Sequence, residues 1–170
     1  MKFLGHLLLL ATVGGILTGC DSSTSSTNAS VVALSTPSGW TRKDNYPVAT
    51  GVAADFVLFA PAVSGFSANV MVLTTGASSI GLDSAVQDEI AADQSGSANF
   101  TVDSVITRTV SSYDSRILQA TYVLNGQTFL MREIITKTAT RDVQIVFTRI
   151  ESDDTYASEL LSLESSVQVK

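Results

Sequence analysis

The sequence predicts an α+β fold in which a twisted antiparallel β-sheet is flanked by two helices. Three observations lead to this prediction. Most of the segment 40–148 alternates apolar and polar side chains with a period of two. Two segments, near residues 82–94 and 152–167, change to a helical period, and the strands are grouped in runs instead of alternating with helices. The expected order is three strands, a helix, four strands and a second helix.

The first strands are short and are separated by turn residues. We expect them at Trp40–Lys43, Asp55–Pro61 and Phe66–Thr74. Ser64–Gly65 lies between the last two, which predicts a hairpin. Trp40, the only tryptophan, is expected to anchor the core or a sheet edge, with stacking on a ligand as the alternative.

The first helix is predicted from the spacing of Leu82, Val86 and Ile90, and it should end before Ser95–Gly96 after about 12–14 residues. Its other face should be solvated and carries polar residues, namely Asp83, Gln87, Asp88 and Asp93. The preceding segment Gly76–Gly81 is glycine-rich but lacks the Gly-Lys-Ser/Thr ending of a phosphate-binding loop. We therefore expect it to be the approach to the helix.

A β-meander should follow the first helix. Phe100, Val102 and Ile106 alternate in its first strand, and the next strand covers Ile117–Leu124. Asn125–Gly126 is a strong signal for a two-residue hairpin turn. The returning strand, 127–136, places Phe129, Met131 and Ile135 on one face, and a turn at 140–142 leads to a last strand over 143–148.

The second helix is expected to begin near Ser152-Asp153-Asp154, whose side chains suit helix capping. Tyr156, Leu160, Leu163 and Val167 then form a single apolar stripe. This stripe is the surface that should dock onto the sheet.

The N-terminal residues have the pattern of a targeting signal. Lys2 is followed by an apolar run, Phe3–Leu17, which is shorter than the ~20 residues that a membrane-spanning helix needs. Leu17-Thr18-Gly19-Cys20 resembles the lipobox of bacterial lipoproteins. That resemblance implies that residues 1–19 are a signal peptide and that Cys20 becomes a lipidated N-terminus. A buried N-terminal helix and a secretory cleavage site without lipid are the alternatives.

Residues 20–36 are predicted to be the lipidated cysteine and a disordered Ser/Thr tether, and residues 37–170 a single α+β domain. Acyl chains on Cys20 would hold the protein on a membrane without crossing it. The aspartate at position 21 resembles an inner-membrane retention signal, with a plain polar linker as the alternative reading.

Composition excludes several functions. The 170-residue chain has a net charge of −6, which disfavours nucleic acid as a partner. Its only histidine is His6 and its only cysteine is Cys20, so the domain can contain no Ser-His-Asp triad, cysteine nucleophile, disulfide or His/Cys zinc site. We predict no catalytic residues, no cofactor and no metal site.

Two groups of charged residues nevertheless need an explanation. Asp88–Glu89, Glu151 and Asp153–Asp154 could supply oxygen ligands, but they lack calcium-loop spacing. The five arginines of the meander could pair with helix acids, form cross-strand ion pairs or bind an anionic partner; they are Arg108, Arg116, Arg132, Arg141 and Arg149.

The sequence as a whole resembles small PsbP-like or DcrB-like lipoproteins. The resemblance rests on the acylated cysteine and tether, Pro37-Ser38-Gly39-Trp40, Asn69-Val70-Met71-Val72, Leu82-Asp83 and the final segment Leu160–Val167. It implies an α/β/α sandwich in a non-catalytic accessory or scaffold protein of the cell envelope, anchored at Cys20, with an envelope protein as its partner.

Two alternatives remain open. One is a module that binds a small or lipidic ligand between the sheet and the helices. The other is an enzyme that uses carboxylates or the tyrosines Tyr113, Tyr122 and Tyr156.

Overall fold

The structure is a computed structural model that describes residues 30–97 and 99–170. These residues form nine strands and two helices. The elements are β1 Val32–Ala33, β2 Thr41–Ala49, β3 Val52–Phe59, β4 Asn69–Gly76, α1 Leu82–Gly96, β5 Thr101–Val110, β6 Tyr113–Leu124, β7 Gln127–Lys137, β8 Arg141–Ile150, α2 Ala157–Ser166 and β9 Gln168–Val169.

Seven strands form one antiparallel sheet in the order β2-β3-β4-β8-β7-β6-β5, and β1 pairs with β9 in a separate two-stranded ribbon. The predicted fold class, an antiparallel sheet with two helices, is confirmed. The predicted order of the longer elements is also confirmed.

Each face of the sheet carries its own core because the strands alternate their side chains between the two faces. On one face, Val72, Ile134, Ile145 and Phe147 pack with Leu160 of α2 and with the β1–β9 ribbon. We call this the α2 face. The opposite face, which we call the α1 face, holds a second apolar cluster that includes Val57, Met71, Leu118 and Val146. Covering on both faces explains why several strands are apolar throughout.

Two hairpin turns have backbone angles that favour glycine. Asn125 and Gly126 have φ values of 52° and 78°, as the turn motif predicts. Ser111 and Ser112, between β5 and β6, have φ values of 48° and 74°. The sequence does not signal this second turn, because serine seldom adopts positive φ.

Three differences from the sequence prediction concern the start of the domain, the cap of α2 and the buried face of α1. The tether was expected to extend to residue 36, but Val32 pairs with Val169 and is only 4% exposed. The domain therefore begins before residue 37. The capping role expected for Ser152–Asp154 is also wrong, because α2 begins later, with Tyr156 as its N-cap and no side-chain cap. Asp153 instead accepts a hydrogen bond from the Thr155 amide.

The third difference concerns α1. Asp93 was expected on the solvated face of this helix, but it is 2% exposed and packs toward the sheet. Trp40, by contrast, lies in the core as expected, with its ring edge-to-face against Tyr156 at 5.7 Å.

Candidate functional site

A cleft of about 270 Å³ lies on the α2 face, between α2 and the strands β6, β7 and β8. Its apolar lining includes Leu130 and Phe147 of the sheet together with Leu160 and Leu161 of the helix. The short helix α2 does not cover the whole face, which leaves this opening beside it. A cleft of this size can hold one or two large apolar side chains or a short acyl segment.

A charged cluster closes one side of the cleft. Glu164 of α2 is 5% exposed and accepts two hydrogen bonds from Arg132 of β7, at 2.6 Å from Nε and 3.0 Å from Nη2. Arg108 of β5 donates a third, at 3.2 Å. A buried carboxylate needs compensating charge, and this bidentate ion pair therefore holds α2 against β7.

Arg149, on another side of the cleft, is equally occupied. Its Nη1 atom donates to the backbone oxygens of Ile150, Glu151 and Asp153 at 3.0–3.1 Å and lies 2.9 Å from Asp154. This arginine holds the segment between β8 and α2. The guanidinium groups around the cleft are thus engaged within the domain, and the binding capacity that remains is mainly apolar.

Exposed apolar side chains border the cleft. Leu161 is 54% exposed, and Ile106 is 43% exposed. Ile106 lies on β5 between Ser104, which bonds to Gln119 of the cleft lining, and Arg108, which bonds to Glu164. Leu161 and Ile106 therefore extend the apolar surface of the cleft outward.

The arginine pattern seen in the sequence thus has a specific structural explanation. Arg108 and Arg132 pair with Glu164 of α2, and Arg116 pairs with Asp83 of α1. The predicted alternative in which meander arginines pair with helix acids is correct for these three.

A second polar cluster lies on the α1 face. Glu89 and Asp93 are one helical turn apart on α1, and Glu133 comes from β7. All three are 1–2% exposed, and one carboxylate oxygen of each lies within 4.8 Å of the others. We call Glu89, Asp93 and Glu133 the carboxylate cluster.

The carboxylate cluster has few partners. Gln144 of β8 donates to Glu89 at 2.9 Å, but within the described ranges Glu89 Oε1, Asp93 Oδ1 and Glu133 Oε1 have no hydrogen-bond partner. None of the three forms an ion pair with a described basic residue within 4.0 Å, since the ion pairs found there involve other acids.

Burial without a basic partner makes these groups retain protons. Burial, together with the nearby Asp93 charge, raises the pKa of Glu89 to about 7, although the Gln144 hydrogen bond opposes the change. Burial raises the pKa of Asp93 to about 6. Burial and the charges of Glu89 and Asp93 raise the pKa of Glu133 well above its usual value. Burial and the Asp93 charge likewise raise the pKa of the Tyr122 phenol.

The sequence signals for this cluster were present. Asp93 and Glu89 continue the spacing of the buried Ala85 at intervals of four residues, and Glu133 falls between Met131 and Ile135 on one strand face. Of the acids considered from the sequence as oxygen ligands, Glu89 belongs to the carboxylate cluster and the others do not. Asp88 is exposed, and Asp154 pairs with Arg149.

Other predicted positions have simpler outcomes. Gly76 ends β4 and Gly81 is the N-cap of α1, so the glycine-rich segment does lead into the helix as expected. Tyr113 packs at the margin of the α2-face core, as Tyr156 does. Cys20 and the predicted signal peptide lie outside the described residues. Within the described part of the chain, no helix is both long and apolar enough to cross a membrane.

The seven-stranded antiparallel sheet with one helix on each face is a PsbP-like fold, which confirms the resemblance stated from the sequence at the level of the fold. The cyanobacterial PsbP protein CyanoP, from Synechocystis sp. PCC 6803, matches with a TM-score of 0.59 and 13% identity, over 88% of this chain and 98% of CyanoP.

Two further solved structures show the same fold. LpqN, a protein involved in cell envelope biogenesis in Mycobacterium tuberculosis, matches with a TM-score of 0.62 and 11% identity, over 82% of this chain and 83% of LpqN. PA94 from Pseudomonas aeruginosa, a protein of unknown function, matches with a TM-score of 0.56 and 9% identity, over 64% of this chain and 77% of PA94. At these identities the likeness shows the fold alone. No protein-family model and no curated protein sequence matches the chain.

Proposed function

We propose that the chain is a non-catalytic, lipid-anchored protein of the bacterial cell envelope that acts through protein–protein contact at the α2 face. The observation that carries the proposal is the apolar cleft bordered by the exposed Leu161 and Ile106. Exposed apolar side chains beside a pocket are typical of surfaces that bind a protein partner.

The anchor and the location are supported by the sequence and the fold. The lipobox-like segment ending at Cys20 indicates lipidation, and acyl chains there would keep the domain at a membrane surface. Among the proteins that share the fold, LpqN is involved in cell envelope biogenesis. We therefore place the domain on the extracytoplasmic side of an envelope membrane, with the aspartate after the lipidated cysteine favouring the inner membrane.

A non-catalytic role is supported by the chemistry of the domain. Its sequence contains no histidine and no cysteine beyond residue 20. The acidic groups with raised pKa values are those of the carboxylate cluster, and their 1–2% exposure keeps a substrate from reaching them. The cleft offers mainly apolar contacts, since Arg132 and Arg149 are already bonded within the domain.

Substitution of Leu161 by aspartate tests the contact, with Gln87→Asp as a matched control because Gln87 is exposed on α1, at the opposite face. Native electrophoresis of detergent-solubilised membranes should show the wild type and Gln87→Asp in a complex larger than the monomer. Leu161→Asp should migrate as a folded monomer, with an unchanged circular dichroism spectrum. Migration of all three proteins as monomers would contradict the proposal.

The cleft volume also favours a second candidate function, the binding of a small or lipidic ligand between α2 and the sheet. Mass spectrometry of organic extracts from protein purified in mild detergent separates the two. A single amphiphile recovered at about one equivalent, and lost in Leu161→Asp, would favour the ligand-binding function over the protein contact.

A further inference from the structure

The carboxylate cluster presents an electrostatic problem that the α2-face function does not explain. Three acidic side chains from α1 and β7 converge in the interior, and each has an oxygen without a hydrogen-bond partner in residues 30–97 and 99–170. A buried charge is stable only when it is neutralised or paired, and buried polar atoms without partners are rare in native proteins. Either protons or a cation must therefore balance this cluster.

The geometry matches a hard cation. Two oxygens bound to one Ca²⁺ at about 2.4 Å can be at most about 4.8 Å apart, and the three ligand oxygens, which all lie within 4.8 Å of one another, meet that limit. The donor set is carboxylate oxygen, without nitrogen or sulfur, and such sets favour Ca²⁺, Mg²⁺ or Mn²⁺ over zinc or copper.

The carboxylate that comes from the sheet lies within the cluster without a hydrogen bond of its own among the described residues. Glu133 is 1% exposed, and its Oε1 atom forms no hydrogen bond with any residue that the structure describes. One of its oxygens nevertheless lies among those of Glu89 and Asp93. On β7 it stands between Met131 and Ile135, where an apolar residue would have packed without cost. A bound cation would give these unpartnered oxygens their missing counter-charge.

We propose that Glu89, Asp93 and Glu133 form a buried site for one divalent cation of the calcium class, which joins α1 to β7. Three carboxylates can offer up to six oxygens, and the cation balances two of their three negative charges. This proposal departs from the sequence prediction that the chain has no metal site, and it is independent of the α2 face because the cluster lies on the opposite face of the sheet.

Thermal unfolding of the full-length protein in detergent tests the site. Because the cluster is closed to solvent, the protein is first unfolded and refolded in EDTA, then refolded with an excess of CaCl₂, MgCl₂ or MnCl₂. A ligand at about 100-fold above its Kd should raise the Tm of a domain of this size by about 8 °C. We expect this rise with CaCl₂ in the wild type.

Glu89→Gln and Glu133→Gln keep the side-chain volume but remove one carboxylate each, so the Tm should no longer respond to CaCl₂. Asp88→Asn, with the same change of charge at the exposed neighbouring residue, should respond like the wild type. Absence of any rise with all three salts in the wild type would overturn the proposal, as would an equal rise in Glu89→Gln and Glu133→Gln.

Terbium luminescence gives a second readout that does not depend on stability. The Asp93 charge contributes to the raised pKa of the Tyr122 phenol, and we therefore choose this tyrosine as the sensitiser for a lanthanide in the site. Tb³⁺ emission excited through tyrosine should appear in the wild type, fall on addition of CaCl₂ and be lost in Tyr122→Phe. Equal emission from Tyr122→Phe would place the ion elsewhere and contradict the site.

Discussion

Replacing Glu89 by glutamine should stabilise the metal-free protein at alkaline pH and leave it unchanged at acid pH. Glutamine has the same shape as glutamate and can still accept the hydrogen bond from Gln144, which is 2.9 Å long in the wild type. The substitution therefore removes a single property, the ability of the buried side chain to ionise.

The expected difference in the free energy of unfolding between Glu89→Gln and the wild type follows from the pKa of Glu89. Below pH 4.5 the carboxyl group is protonated in the folded and unfolded chains alike, and above pH 7 it is ionised in both. Between these values the folded state binds more protons, so the free energy of unfolding falls as the pH rises. A change from 4.5 to about 7 corresponds to about 3 kcal/mol at about 1.4 kcal/mol per pH unit. The neighbouring Asp93 titrates in the same range, and the pKa of Glu133 is also raised by burial and by the charges of Glu89 and Asp93. Tyr122 and Gln144 are the other polar groups that face the site.

Urea denaturation in EDTA at pH 4.5, 6 and 8, followed by Trp40 fluorescence, measures this difference. Glu89→Gln should match the wild type at pH 4.5 and exceed it by about 3 kcal/mol at pH 8. Asp88→Asn, one position away and exposed, should follow the wild type at every pH. If the free energies of unfolding of Glu89→Gln and the wild type changed in parallel with pH, the account of the cluster would be refuted. That result would mean that ionisation of Glu89 does not destabilise the folded protein.

Four further predictions follow from the rest of the structure. Ser112→Gly should stabilise the protein by about 0.5–1 kcal/mol in urea denaturation, because Ser112 has a φ of 74° that glycine adopts freely; a loss of stability would argue against this turn. Arg132→Ala should lower the free energy of unfolding by about 1–3 kcal/mol, since it leaves the buried Glu164 with Arg108 alone. Glu164→Gln should reduce that loss of stability in a double-mutant cycle. Ile134→Ala, at a fully buried position, should cost about 2–5 kcal/mol and lower the urea midpoint without changing the m value. Cys20→Ala should move the protein from the membrane pellet to the supernatant, whereas the N-terminal peptide of the wild type should carry acyl mass; an unmodified Cys20 would contradict the anchor.

The long elements were predictable because their signals are local. Asn125–Gly126 supports positive φ by itself, and the alternation of β7 and β8 follows from burial on both faces of the sheet. The β1–β9 ribbon could not be found in this way. Each strand has only two residues, and their pairing brings together Val32 and Val169 from nearly opposite ends of the chain. No local pattern in either segment contains that information.

The carboxylate cluster could not be predicted from the sequence for a different reason. An acid inside an apolar pattern is normally interpreted as an exposed residue at the margin, which is how Asp93 was interpreted from the sequence. The pattern nevertheless placed Glu133 on the same strand face as Met131 and Ile135. What the sequence lacked was the docking of α1 onto β7, which brings Glu89 and Asp93 to Glu133 across a gap of some 40 residues.

The α2 cleft likewise results from tertiary packing that the sequence pattern does not show. The apolar spacing of α2 predicted that Leu160 and Leu163 would be buried, and both are. It did not show that the ten-residue helix would leave an opening beside it or that Leu161 would remain exposed next to that opening. Glu164 and Arg132 both line the opening, and their ion pair is a contact between distant parts of the chain.

Photo-crosslinking in intact cells tests whether the α2 face contacts a protein partner. A photoreactive amino acid is introduced at position 161, or at position 87 on the opposite face as the control, in the chain that retains Cys20. The account predicts one discrete protein partner crosslinked from position 161, absent from position 87 and lost when Cys20→Ala removes the anchor. Crosslinks to the same proteins from both positions, or to lipid alone from position 161, would contradict a protein contact at the α2 face.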